Sequence, residues 1–191
     1  MGDCSAGEYV PIGDWDVSEV TDTSEIFQGA HSLNADISKW NVSSVTNMEQ
    51  MFYFARSFNS DISKWDVSRV TSMLATFADA ISFNADISNW DVSRVTDTRV
   101  MFYFAKSFNV DISKWDVSSV TNMQSMFFDA SSFNVDISKW DVSRVVSMDS
   151  MFYRARSFNQ TLCGGAWTQS DVAHYFIFRG SLGSICGLCS I

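Results

Sequence analysis

Residues 62–73, ISKWDVSRVTSM, decide how this chain is read, because nearly the same phrase stands at residues 37–48, 87–98, 112–123 and 137–148. Its tryptophan belongs to a column, Trp15, Trp40, Trp65, Trp90, Trp115 and Trp140, in which each member follows the last by 25 residues. Ile37 to Ile137 precede the tryptophans by three, Val17 to Val142 follow them by two, and Phe27 to Phe152 and Phe58 to Phe158 keep the same step. The consensus is I-S-x-W-D-V-S-x-V-T-x-M-x-x-M-F-x-x-A-x-S-F-N-x-D. Such column identity means that each unit meets the same neighbours, the condition for an array whose repeats touch only the units before and after.

Within a unit, Ser63, Trp65 and Val67 alternate with Lys64 and Asp66, the period-2 pattern of a short, half-buried strand. Val70, Met73, Phe77 and Ala80 then follow at steps of three, four and three, the spacing of a short helix that Thr71 can cap. S-F-N-x-D reads as the return bend, since Asn and Asp hydrogen-bond nearby amides. The fold class expected is therefore an α/β repeat, a solenoid with short parallel strands and short helices, capped at both ends. Strands about 4.8 Å apart stack the six tryptophans as a structural core, within the roughly 4.5–7 Å range of offset aromatic pairs.

The phrases FNSDISKWDVSRVTSM and MFFDASSFNVDISKWDVSRV resemble the BspA-like repeats of bacterial and protist surface proteins, a branch of the leucine-rich repeats. The resemblance spans about residues 12–160. It implies a right-handed, leucine-rich-repeat-like solenoid, a surface location and a role in adhesion or binding, and it brings no catalytic residues. This chain departs from the pattern with Thr23, Thr76 and Thr98 in methionine columns and Asn41 in an aspartate column.

Residues 1–11 are expected to cap the first unit, residues 12–160 to form six units, and residues 161–191 to cap the last. In the C-terminal part Trp167 comes 27 residues after Trp140, and TQSDVAHYFIF reads as a helix beginning at Thr168 or Ser170. All four cysteines lie outside the repeats. The Cys186-X-X-Cys189 spacing admits a redox motif or, with Cys163, a metal site, but no βαβ pattern precedes it and a fourth ligand is lacking. A disulfide from Cys163 to Cys186 or Cys189, formed in an oxidising compartment, is the preferred reading.

The 191 residues are 46% hydrophobic and carry a net charge of −9. No basic field exists to attract nucleic acid. No run approaches the roughly 18 apolar residues of a membrane span, and MGDCSAGEYV does not read as a signal peptide. His31 and His174 are far apart along the array, and nucleophile-elbow and phosphate-loop motifs are absent. No enzyme, cofactor or metal is expected.

The remaining chemistry lies in columns. Asp36, Asp61, Asp86, Asp111 and Asp136 form one, and Asp16, Asp66, Asp91, Asp116 and Asp141 another. Stacked carboxylates can ladder Ca²⁺, but Lys39, Lys64, Lys114 and Lys139 beside the second column screen it without metal, and the first column suits bends. The outward strand face, with Lys39, Lys64, Asp66, Asp91, Lys114, Asp116, Lys139 and Asp141, is the candidate binding surface for a protein or glycan partner. Tyr53, Phe54, Tyr103, Phe104 and Phe128 either pack between units or form an exposed stripe on alternate units for docking to a partner. Asn41 and Asn159 are glycosylation acceptors if the chain is secreted by a eukaryote. The leading expectation is a non-enzymatic, extracellular or cell-surface module for adhesion or binding. The alternatives are a scaffold subunit of a larger assembly, docked by the aromatic residues, and, from the hydroxyl columns Ser18 to Ser143 and Thr21 to Thr121, ice or mineral binding.

Overall fold

A buried backbone amide needs an acceptor, and the way each unit finds one sets the architecture. The computed structural model describes residues 10–168 and 176–187. Across residues 73–80 the amides of Thr76, Ala78 and Ala80 donate back to the carbonyls of Met73, Ala75 and Phe77. Those of Met73, Ala75, Phe77 and Asp79 donate instead to Asp97, Arg99, Met101 and Tyr103 in the next unit. Alternate amides thus close tight turns and tie one layer to the next.

This alternation needs left-handed backbone at two positions in each unit. Glu25, Gln50, Ala75, Val100, Ser125 and Ser150 hold one (φ 48–60°), and Gly29, Phe54, Asp79, Phe104, Asp129 and Arg154 the other (φ 51–72°). A left-handed residue reverses the path of the chain and cannot propagate a right-handed helix.

The α/β repeat solenoid expected from the sequence is therefore corrected. The regular elements among the described residues are a 3₁₀ turn at Ile12–Asp14, strand β1 at Thr161–Leu162, helix α1 at Gly165–Thr168 and strand β2 at Ser184–Ile185. β1 and β2 run parallel, with Thr161 opposite Ser184 and Leu162 opposite Ile185. Between the repeats, parallel pairing shrinks to single-residue bridges that run from Asp22 through Asn47, Ser72, Asp97 and Asn122 to Ser147. The spacing of Val70, Met73, Phe77 and Ala80 places them inward as expected, but successive turns do this, not a helix. The inferred strand is also a pair of turns, in which Trp65 N–H donates to Ile62 and Val70 N–H to Val67.

Side chains of equal position stack. Ring centroids along Trp15, Trp40, Trp65 and Trp90 are 6.3, 6.2 and 6.5 Å apart. Phe27, Phe52, Phe77, Phe102, Phe127 and Phe152 follow at 5.5–5.8 Å. Inside a layer Phe52 lies 3.9 Å from Phe58, and it lies 6.2 Å from Trp65 of the next. Each buried indole also reaches into the preceding layer: Trp65, Trp90, Trp115 and Trp140 donate Nε1–H to the carbonyls of Ile37, Ile62, Ile87 and Ile112 at 3.1–3.2 Å. The buried threonines in methionine columns are satisfied across layers too, Thr76 Oγ1 donating back to the Met48 carbonyl at 2.9 Å, and Thr23 and Thr98 forward to those of Asn47 and Asn122 at 3.1 and 3.2 Å.

The two ends depart from expectation. Trp15, counted with the core, is 45% exposed. Of the expected N-terminal cap, residues 1–9 lie outside the described residues, and Val10 and Pro11 are exposed. At the C-terminal end the break in register is smaller in space than in sequence. Trp167, on α1, donates to the Ile137 carbonyl at 3.3 Å, as the repeat tryptophans do. Gly164 permits this approach, because a Cβ there would collide with the Ser138 carbonyl. Phe178 continues the phenylalanine stack 5.5 Å from Phe152, and left-handed Phe176 and Gly180 reproduce the four-residue spacing of the units. The helix expected to begin at Thr168 or Ser170 falls mostly on residues 169–175, outside the described residues, whereas α1 ends at Thr168.

Candidate interaction surfaces

D-I-S and D-V-S, each present once per unit, build the same local structure. Asp61 Oδ1 accepts the Ser63 amide at 2.9 Å, and Asp66 Oδ1 accepts the Ser68 amide at 3.1 Å. The bond recurs at Asp16, Asp36, Asp86, Asp91, Asp111, Asp116, Asp136 and Asp141. Asn41 shows that the carbonyl oxygen of an amide serves as well, accepting from Ser43 N–H at 3.2 Å and Oγ–H at 2.7 Å. Both aspartate columns thus close turns, where the sequence suggested this for the first alone.

Lys39, Lys64, Lys114 and Lys139 are exposed, as are Asp66, Asp91, Asp116 and Asp141. They share a ridge of turns, not a strand face. None forms an ion pair among the described residues, whose pairs are Arg56–Asp79 and Arg99–Asp97. The lysines act instead on the first column: Asp36, Asp61, Asp111 and Asp136 are lowered chiefly by hydrogen bonds from the following serine and further by Lys39, Lys64, Lys114 and Lys139. Like charges one layer apart oppose this, Asp36 raising Asp61 and Asp66 raising Asp91. Among the described residues no three His, Cys, Asp or Glu side chains gather as a metal site.

The threonine column is bonded internally. Thr46, Thr71, Thr96 and Thr121 each donate Oγ1–H to the carbonyl of the threonine one layer back, at 3.1 Å. Asn34, Asn59, Asn84, Asn109 and Asn134 form a second ladder, in which Oδ1 accepts the amide of the asparagine one layer on. Asn159 ends that ladder, and both glycosylation candidates, Asn41 and Asn159, are exposed.

The aromatic residues that follow the Met-Phe pairs are half-buried and packed on one another. Tyr103, Phe128 and Tyr153 stack at 4.8 and 4.7 Å, and Tyr53 lies 4.3 Å from Phe54. Sequence reasoning missed their cationic partners: Arg56 lies over Phe54 at 5.6 Å, Lys106 over Phe104 at 5.8 Å and Arg154 over Tyr153 at 5.8 Å. Such contacts hold a long cationic side chain in one place at an exposed site. The available signal was the recurrence of Y-F-A-R and Y-F-A-K in alternate units, at residues 53–56 and 103–106. Burial, helped by Asp79, Tyr53 and Asp129 nearby, pushes the Tyr103 hydroxyl above its ordinary range.

At the last repeat an open groove of about 520 Å³ is lined by Ser138, Lys139, Trp140, Asp141 and residues 163–166. It joins the Lys/Asp ridge to the disulfide between Cys163 and Cys186, whose Cα atoms are 4.9 Å apart. This pairing selects Cys186 from the two partners considered; Cys4, Cys189 and His174 lie outside the described residues. His31 Nδ1 is 2.9 Å from the Phe54 carbonyl. No helix of the described residues is long and apolar enough to cross a membrane. No curated protein and no solved structure matches the chain. Residues 2–107 and again 82–181 match one family, described as Mycoplasma protein of unknown function, DUF285.

Proposed function

From the premise that this chain belongs to the DUF285 family, matched twice along its length, we propose a non-enzymatic, extracellular repeat module that binds a protein or glycan through its Lys/Asp ridge. One observation carries the reading. Exposed Lys39, Lys64, Lys114 and Lys139 and exposed Asp66, Asp91, Asp116 and Asp141 recur on turns that the Asp–Ser hydrogen bonds hold in one conformation, with Asn89 and Asn41 as the interruptions. A rigid periodic surface loses little entropy on binding an extended partner, which raises affinity without new contacts. The Cys163–Cys186 disulfide supports an oxidising, extracellular setting. The BspA-like resemblance of the tryptophan phrase supports a cell-surface role in adhesion.

The test is a binding screen of the full chain against matrix proteins and immobilised glycans, repeated with Lys64→Glu, Lys114→Glu and Lys139→Glu combined. Loss of binding with an unchanged near-UV tryptophan spectrum is expected. Binding that survives the triple reversal removes the ridge as the site.

A further inference from the structure

A second surface alternates from layer to layer. The second and fourth units present Tyr-Phe-Ala-Arg (53–56) and Tyr-Phe-Ala-Lys (103–106), while the third and fifth present Ala-Asp-Ala-Ile (78–81) and Phe-Asp-Ala-Ser (128–131). The second and fourth layers therefore carry a half-buried ring with an exposed cation over it, where the third and fifth carry a carboxylate on a shorter side chain. Phe54, Asp79, Phe104 and Asp129 all leave the backbone from the same left-handed position (φ 51–59°), so the alternation lies in the side chains alone. Cation and carboxylate of adjacent layers meet on one surface, where Arg56 Nε is 3.7 Å from Asp79 Oδ1, the arginine side chain 53% exposed and the aspartate 18%. Phe52, beside this edge, meets Trp65 across the core, so the edge and the Lys/Asp ridge flank the core from different sides.

An edge of this kind is complementary to itself in a restricted set of registers. Two copies that face each other antiparallel are related by a dyad, and the contact is isologous. With the dyad between the third and fourth layers, second meets fifth and third meets fourth. Arg56 then faces Asp129 of the second copy, Lys106 faces its Asp79, and the half-buried Phe54 and Phe104 lie opposite the shorter aspartates. With the dyad through the fourth layer, Arg56 meets Arg156 and Asp79 meets Asp129, and like charges facing each other disfavour that register.

We propose that the chain forms an antiparallel dimer through this edge, with a second copy of itself as the occupant and the dyad between the third and fourth units. The pairing is independent of the ligand-binding reading above, because it uses another side of the molecule.

Sedimentation equilibrium of the full chain tests it. The native chain is expected to be dimeric, and Arg56→Glu with Lys106→Glu to weaken association roughly a hundredfold or more, since like charges then face one another. Asp79→Lys with Asp129→Lys does the same, and an equimolar mixture of the two reversed chains restores a dimer. Asp79→Asn with Asp129→Asn, which suits the left-handed backbone, stands in if the lysine pair fails to fold. A native chain that stays monomeric, a doubly reversed chain that dimerises like the native one, or a mixture that stays monomeric overturns the proposal. The triple lysine reversal on the ridge leaves the dimer intact, which separates failure here from failure of the binding reading.

Discussion

An indole N–H in this core donates to a carbonyl that already has a partner: Ile62 O accepts both Trp65 N–H at 3.2 Å and Trp90 Nε1–H at 3.1 Å. Trp90→Phe therefore leaves no carbonyl orphaned and costs about 1–2 kcal/mol, one hydrogen bond and a little packing. Trp90→Ala opens a cavity in the stack and costs roughly 3–5 kcal/mol. Urea unfolding separates the two. Val100 is the reverse case, a β-branched residue held at φ 48°. Asn tolerates that conformation far better, so Val100→Asn is expected to stabilise by about 1 kcal/mol and to raise the melting temperature. The turn aspartates make stability pH-dependent. Hydrogen bonds from Ser63 and Ser68 hold Asp61 and Asp66 below the ordinary carboxylate range. A depressed native pKa means that the unfolded chain binds more protons in acid, so stability is full above about pH 5 and falls as pH drops through the ordinary value near 4 and then the native one. Urea midpoints between pH 7 and pH 3 are expected to follow that curve. The slope is expected to be shallower in Asp66→Asn, because Asn41 already closes the same turn without charge.

At the scale of elements, much of the layer was legible in the sequence. The 25-residue step, the stacked tryptophans and the inward face of Ile62, Trp65, Val67, Val70, Met73 and Phe77 follow from column identity and residue type. The elements themselves were not legible, because steps of three, four and three are met equally by a helix and by tight turns joined through left-handed residues. What distinguishes them is the φ of Gln50, Ala75, Val100 and Ser125, and of these columns only Gly29 announces its conformation by residue type. The Lys/Asp ridge was readable as an exposed surface, though its strand was not real and its aspartates turned out to be bonded to serines. An aromatic stripe on alternate units was legible from Tyr53, Phe54, Tyr103 and Phe104, but the cations over those rings and the aspartates of the intervening units went unread, because comparison of single units sees only divergence at residues 53–56 and 78–81. The C-terminal segment also hid its likeness to a unit, since Trp167 and Phe178 arrive 27 and 26 residues after their counterparts. Its attachment through Cys163–Cys186 predicts that Cys163→Ser with Cys186→Ser lowers stability by about 2–4 kcal/mol. Hydrogen exchange is expected to show residues 176–187 losing protection first.

For the molecule as a whole, each described layer depends on its neighbour, because alternate amides, the indole N–H groups and the stacked rings reach across to it. Excising residues 87–111, which joins Asp86 to Ile112, keeps every column in phase and is expected to leave a folded, less stable chain with stacked tryptophans. Excising residues 87–110 shifts every later position by one and is expected to abolish the stacking seen by near-UV dichroism. The two-unit alternation adds a rule of parity to this rule of phase. A chain shortened by one unit sets Asp79 beside Asp129, so its edge reads two negatives in succession and the odd and even rungs no longer interleave with those of a twin. A chain shortened by two restores the beat. Such an array can lengthen or shrink by single steps and stay folded, yet it keeps its twin only when it grows in pairs.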